Sequence, residues 1–262
     1  MTLFKLLKLL VILSPSKTSD PASKLAGNFS LPGFIPEIGI LIKILRKKTL
    51  DDLKDLMRIS DKLASQTFDW IKVMTTKYEP QNTRCAIYNF SGEVYQGLKA
   101  ETLSELDLEF AQNHLRILSG LYGSLRPLDL MQPYRLEMGT RLKTSKSNNL
   151  YQFWGGKITK SINADLKSIS SNILLNLASD EYSKCIIPDK LKAVMLSVEF
   201  FETKNGNHVF NSFNAKKARG QMAGYIIRNK VIHHQNLRLY NIGGYHYNEK
   251  LSSQNNMVFV KS

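Results

Sequence analysis

The sequence predicts an α/β fold (mixed α+β): a single compact domain with a mixed sheet flanked by helices. Three observations carry that expectation. Strand-like apolar runs alternate with helical patterns early in the chain, and two strands pair as a hairpin late in it, around Asn205-Gly206. No repeat, low-complexity tract or break in composition divides the 262 residues, so residues 1–262 read as one domain. An apolar content of 43% is ample for a core and excludes a disordered chain.

The elements follow in order. Leu9-Leu10-Val11-Ile12-Leu13 runs into a Ser-Pro turn, the pattern of a buried strand. With Lys5 and Lys8 ahead of it the run faintly imitates a signal peptide, but it is too short and no small-residue cleavage site follows. Ser14 to Thr18 is a polar loop in which Ser16 and Lys17 can hold phosphate, although the glycines of a P-loop are missing. Asp20 to Pro36, with three prolines and two glycines, reads as irregular surface. Glu37 to Lys48 predicts a helix ending in Arg46-Lys47-Lys48. Thr49 caps a second helix reaching Arg58, and Ser60 caps a third beginning at Asp61. Ala86 to Phe90 reads as a strand followed by a turn at Gly92.

The stretch from Phe110 to Gly139 organises the rest. Leu103, Leu106, Phe110, Ala111, Leu115 and Leu118 fall at helical spacing, with Thr102 and Glu105 as a capping box and Gly120 as the stop. Gly120-Leu121-Tyr122-Gly123 is then a tight connection, and Pro127 and Pro133 exclude one long helix. Two readings of residues 103–133 stand side by side: a helix-hairpin-helix-like element gripping a nucleic-acid backbone, or a capped core helix followed by a loop. Arg116, Arg126 and Arg135 recur here among apolar residues, either paired internally or aimed at an anion. Tyr134, Leu136 and Met138 alternate with Arg135 and Glu137, which form an ion pair or belong to a site.

Further on, the aromatic cluster YQFWG (151–155) leads into a helix with Ile158, Ile162 and Leu166 aligned. Ile173 to Leu177 is a compact strand that empties into Ala178-Ser179-Asp180-Glu181-Tyr182. Polar residues at a strand end of this kind face a cleft in α/β proteins. Lys192–Phe201 and His208–Phe213 form the hairpin arms, and Asn214 caps a helix reading AKKARGQMAGYIIRNK. Lys216, Lys217 and Arg219 then crowd its positive end, where cations and free amides together make an anion site; a solvated charge run is the other reading. Val258-Phe259-Val260 closes the chain as a strand.

Charge is the unusual quantity. There are 36 Lys and Arg against 22 Asp and Glu, a formal net charge of +14, which points to an acidic partner. A biased genome can supply part of such an excess passively. Cys85 and Cys185 sit in no ligand spacing, as do the five histidines, so no metal site is expected and the compartment reads as reducing and cytoplasmic. Pairs such as Ser16 with Lys17, or His114 with Asp180 or Glu181, can be assembled as acid–base partners only by choice.

Six blocks carry a resemblance: SPSK (14–17), RISDKLA (58–64), HLRILSGLYGSLRPLDLMQPYRLEMG (114–139), LYQFWG (150–155), NLASDEY (176–182) and FNAKKARGQM (213–222). On these the chain closely resembles the YaaA family of peroxide-stress proteins, nearly end to end. The resemblance implies one compact α/β unit with a helix-hairpin-helix element and a positively charged cleft. The cleft cations it implies are Lys17, Arg58, Lys62, Arg116, Arg126, Arg135, Lys216, Lys217 and Arg219. Where the family usually carries an arginine this chain has Gly224, and its N-terminus runs several residues beyond the usual start.

The resulting expectation is a cytoplasmic DNA-binding protein of the hydrogen peroxide stress response. It would hold DNA largely by backbone contacts, with structure-dependent or non-specific recognition. It is expected to be a monomer with no cofactor, metal or membrane contact, and its hairpin would use Gly120 and Gly123. The alternative is an enzyme acting on an anionic or phosphorylated small molecule in the same cleft, using Lys17, Glu137 or Glu181.

Overall fold

The computed structural model describes residues 8–20, 22, 23 and 25–261. Lys5, which entered the signal-peptide comparison, lies outside them. The first strand, β1 (Lys8–Leu13), is followed by the helices α1 (Ile35–Leu45), α2 (Leu50–Met57) and α3 (Asp61–Val73). Next come β2 (Arg84–Cys85), α4 (Ala86–Asn89), α5 (Glu93–Leu98), α6 (Glu105–His114), β3 (Leu115–Ser119), β4 (Gly123–Leu125) and β5 (Leu130–Met131). The remainder holds α7 (Leu150–Trp154), α8 (Lys157–Ser168), β6 (Ser171–Asn176), α9 (Asp180–Ser183), β7 (Val194–Lys204), β8 (Asn207–Val209), α10 (Ser212–Arg228), β9 (Tyr245–Tyr247) and β10 (Asn256–Lys261).

Eight strands form one mixed sheet in the order β4-β3-β1-β6-β7-β10-β9, with β8 paired to β7, while β2 and β5 form a small ribbon. The pairs β1–β3, β1–β6, β6–β7 and β7–β10 are all parallel. β1 lies inside the parallel set, between β3 and β6, and its five residues Leu9 to Leu13 are each at most 2% exposed. An apolar run without alternation is what a strand covered on both faces requires. α6 and α8 pack against β1, and the aligned Ile158, Ile162 and Leu166 are the buried face of α8. The late hairpin forms as its Asn-Gly signal predicts: Asn205 and Gly206 both adopt positive φ, at 52° and 77°.

The central stretch folds differently from its helical spacing. The helix stops at His114, and Leu115–Ser119 is the strand β3, in register with β1 through Val11↔Leu115 and Leu13↔Ile117. The turn at Ser119–Gly123 joins β3 to the antiparallel β4, so a β-hairpin stands where a helix-hairpin-helix was expected over 103–133. Pairing with the buried strand β1 outweighs the helical spacing of Leu115 and Leu118, a spacing that short apolar runs share with buried strands. Leu106, expected on the core stripe, is 71% exposed. The capping box is Ser104 with Asp107, two residues later than Thr102 and Glu105. Ala86–Phe90 is one helical turn rather than a strand, because the amides of Ala86 and Ile87 donate to Asp129 and Pro127 carbonyls, both at 2.9 Å.

One contact between helices sets the position of α10. A Cβ at Gly220 would sit 1.7 Å from the Val94 carbonyl oxygen, and one at Gly97 would sit 2.2 Å from the Lys217 carbonyl oxygen. The backbones of α5 and α10 thus touch through glycine. Gly220→Ala should lower unfolding free energy by about 1–3 kcal/mol through overpacking. Gly39→Ala, in α1 with its nearest outside atom 3.4 Å away, should instead add about 0.5–1 kcal/mol. Urea denaturation of the two variants measures the opposite signs.

Candidate functional site

Counted along the chain, the five parallel strands lie across the sheet in the order second, first, third, fourth, fifth (β3-β1-β6-β7-β10). The connections therefore leave β1 in opposite directions and open a crevice beyond the carboxyl ends of β1 and β6, the usual ligand position in open α/β sheets. A cavity of about 610 Å³ lies there. Its walls are Ser14 to Lys17 after β1, Leu177 and Ser179 to Tyr182 after β6, Gly92 to Tyr95 at the start of α5, and Ser212, Lys216 and Arg219 along α10. The strand-end polar residues 179–182 thus reach a cleft, as their sequence pattern implies.

Hydrogen bonds knit these walls together. Ser179 N donates to Ser14 Oγ at 2.9 Å, and the Tyr95 hydroxyl donates to the Ser14 carbonyl at 3.1 Å. A Cβ at Gly92 would lie 2.5 Å from Ser16 Oγ, so glycine lets the loop after β1 close onto α5. Lys17 Nζ lies 3.1 Å from Glu137 Oε1, and an Arg135 guanidinium nitrogen lies 3.1 Å from the same oxygen. Glu181 Oε1 accepts the Gly139 amide at 3.0 Å. Glu137, Gly139, Arg141 and Glu181 continue the cleft into a shallower depression whose other wall is Asp55 to Arg58. The three candidate catalytic residues, Lys17, Glu137 and Glu181, are therefore brought into one place. One carboxylate is thus shared by two cations, and the cavity lining sets Glu93, Asp180 and Glu181 against Lys17, Lys216 and Arg219.

Arg219 reaches the cavity from α10 with its Nε buried and without a hydrogen-bond partner. Burial pushes its guanidinium below the usual arginine value, opposed by the more distant charges of Asp180 and Glu199. The helix itself begins earlier than its sequence suggests. Asn211 is the cap, accepting from the Phe213 and Asn214 amides, while Asn214 donates to Glu202 Oε1 at 2.7 Å. Lys216, Lys217 and Arg219 accordingly stand beyond the first turn, and Lys216 and Arg219 line the cavity while Lys217 is exposed outside it.

Arg58 and Lys62 belong to a tight helical pair. α2 and α3 are joined by Arg58, Ile59 and Ser60 alone, with Arg58 in the left-handed region at φ 52°. Thr49 and Asp52 close a capping box on α2, whereas the Ser60 side chain makes no cap hydrogen bond on α3. The turn exposes Arg58, Ser60 and Lys62, of which Arg58 lines the shallower depression.

The other predicted residues do something else. Arg116 is 5% exposed; its Nε and a terminal nitrogen donate to Asp165, each at 2.8 Å, and its remaining nitrogen to the Gln112 and Leu115 carbonyls. Arg126 Nε donates to Asp129 Oδ1 at 3.0 Å and reaches the Leu31 carbonyl. Both arginines line a separate depression that shares no residue with the cleft, so they are structural ion-pair partners rather than cleft cations. Gly120 is in the core, where a Cβ would meet the Leu136 carbonyl oxygen at 2.3 Å. Gly123, at φ 72°, packs on Trp154. Neither glycine offers amides to a ligand. His114 is buried, stacks on Phe110 at 4.2 Å and bonds the Leu9 carbonyl at 2.9 Å, so it is no partner of Asp180 or Glu181.

A family model described as peroxide stress protein YaaA matches residues 9–251. The chain belongs to the peroxide stress protein YaaA family. A UPF0246 protein of Aliivibrio fischeri strain ES114 is 45% identical over 254 residues, covering 97% of this chain and 98% of the relative. A UPF0246 protein of strain MJ11 shows the same identity and coverage.

Five of the YaaA-family blocks quoted above, 14–17, 58–64, 114–139, 176–182 and 213–222, contribute residues to the cleft or its side depression. The departure at Gly224 falls elsewhere. A Cβ there would lie 2.9 Å from the Leu98 carbonyl oxygen and 2.4 Å from Arg228, so the position faces α5 and not the cavity. The Arg228 guanidinium occupies that space and donates to Leu98 and Lys99 carbonyls, closing the end of α5. The sequence reading missed Ser14, Gly92, Tyr95 and Phe210 as cavity walls. Only Ser14, beside the Ser-Pro turn, carried a local signal.

Two measurements separate scaffold from site. Arg116→Ala strands Asp165 and should cost about 3 kcal/mol or more of stability while leaving cleft binding by the folded protein unchanged. Burial lowers the His114 pKa, so the folded state holds fewer protons than an unfolded chain titrating near 6.5. Stability should then fall as pH drops through about 6.5, and the slope should shrink in His114→Gln. The remainder belongs in part to His234, whose pKa burial also lowers.

Proposed function

We propose that this YaaA-family protein binds DNA through the phosphate backbone, in the peroxide stress response that its family name describes. The groove would run from the cavity at β1 and β6 to the α2–α3 turn. The observation that carries the reading is how the cations divide. Arg116 and Arg126 are neutralised by their own carboxylates, whereas Arg58, Lys62, Lys216, Lys217 and Arg219 have no carboxylate within ion-pair distance among the described residues. Lys216 and Arg219 at the cavity and Arg58 at its side depression, in a chain of net charge +14, suit a polyanion that runs past the cavity's own carboxylates Glu93, Asp180 and Glu181. Open amides at the start of α3 beside Arg58 and Lys62 suit a single phosphate. Phosphate contacts carry no sequence information, so recognition is non-specific or structure-dependent.

A second reading has its own support. Lys17, Glu137 and Glu181 gather beside a half-open cavity of ordinary ligand size, which suits an enzyme acting on an anionic small molecule.

A salt titration of duplex binding tests the first reading. Affinity should fall with a log–log slope near −0.9 per phosphate contact. Replacing Lys216 and Lys217 with Gln should flatten the slope by up to about two units. Because both are exposed and beyond the first helical turn, stability should change by less than about 0.5 kcal/mol. A slope of zero, or no binding at low salt, would overturn the DNA reading in favour of the enzyme.

A further inference from the structure

The cavity carries a feature that backbone binding does not use. Phe210 forms part of its wall and is 52% exposed, although a phenyl ring gains by burial. Its edge-to-face contact with Phe201, at 6.3 Å, orients the ring without covering it. Phe213, in the first turn of α10, is 57% exposed beside it. Lys216 and Arg219 follow on the same helix and line the cavity opposite the carboxylates Glu93, Asp180 and Glu181, with Leu177 and Val94 as apolar lining. An uncovered aromatic face, an apolar lining and adjacent cations are the elements by which proteins hold a base and its phosphate together. A bare phosphate needs only the cations, and an acidic peptide offers no planar face to the ring.

We infer that this cavity binds a nucleotide unit, its base stacked on Phe210 and its phosphate held by Lys216 and Arg219. The unit is an unpaired residue of a DNA strand or a free nucleoside monophosphate, which share this chemistry. The site occupies the same cleft as the proposed backbone contacts but does not depend on their being made. A base entering here must leave the stack, so a strand would be engaged at unpaired positions.

Two fluorescent probes test this on the full chain: 2-aminopurine riboside 5′-monophosphate, and a short single strand with 2-aminopurine at its centre. At least one should give a saturable fluorescence change. Binding of the monophosphate, alone or with displacement of the strand, assigns the free nucleotide; binding of the strand alone assigns the unpaired residue. Phe210→Ala should weaken the bound probe about tenfold or more, and Phe210→Tyr should restore it. Lys216→Glu should weaken it independently, and Leu239→Ala, exposed outside the cavity, should not. The inference is overturned if neither probe saturates, or if Phe210→Ala binds like the parent chain. Duplex binding measured alongside keeps the two proposals apart. Duplex affinity without probe binding ends the nucleotide site alone, and probe binding without duplex affinity ends the backbone reading alone.

Discussion

The pairing of β1 with β3 on one side and β6 on the other is the constraint on which the rest depends. Both edges of β1 are hydrogen-bonded in parallel register, and Leu9 to Leu13 are buried throughout. A strand so placed cannot turn back on itself, so the chain leaves it at Ser14 and must travel over the sheet before returning as β3. The third parallel strand then returns on the opposite side. The crevice at the carboxyl ends follows from that reversal, and every wall of the cavity is a continuation of a strand or a helix that the reversal positions.

Charge is distributed according to the same frame. A cation placed within the sheet, such as Arg116 on β3, must be neutralised, because an unpaired buried charge costs several kcal/mol. Asp165 of α8 does this with two parallel hydrogen bonds. Cations that emerge past the strand ends or on the helix surface meet water and carry no such obligation. Pairing there depends on whether a carboxylate stands within reach: Lys17, just past β1, is paired with Glu137, and Arg126, half exposed, with Asp129.

The contact between α5 and α10 is the second fixed point. Glycines 97, 220 and 224 bring the two backbones together, which aims Lys216 and Arg219 into the cavity that Val94 and Tyr95 border from α5. Gly224 belongs to this packing, facing α5 and not the cavity. Arg228, one turn later, caps the end of α5 from the space that Gly224 leaves open.

The sequence by itself determined what local chemistry decides. The unbroken run Leu9–Leu13 required a buried strand, Asn205-Gly206 required a hairpin, Thr49 and Ser60 marked helix starts, and Ser179 to Tyr182 marked a cleft. These signals rest on backbone conformation or on a burial pattern that a few residues carry alone. Only the tertiary structure decided that Leu115–Ser119 is a strand, since a five-residue run with three apolar members fits either period and the choice was made by partners a hundred residues away. The same holds for the roles of Arg116 and Arg126, set by Asp165 and Asp129, and for the capping of α10 by Asn211 in place of Asn214, whose amide is drawn to Glu202. Phe210 became a cavity wall because the hairpin end and the start of α10 meet the end of β1 there. No periodicity along the chain encodes that meeting, which follows from sheet order alone.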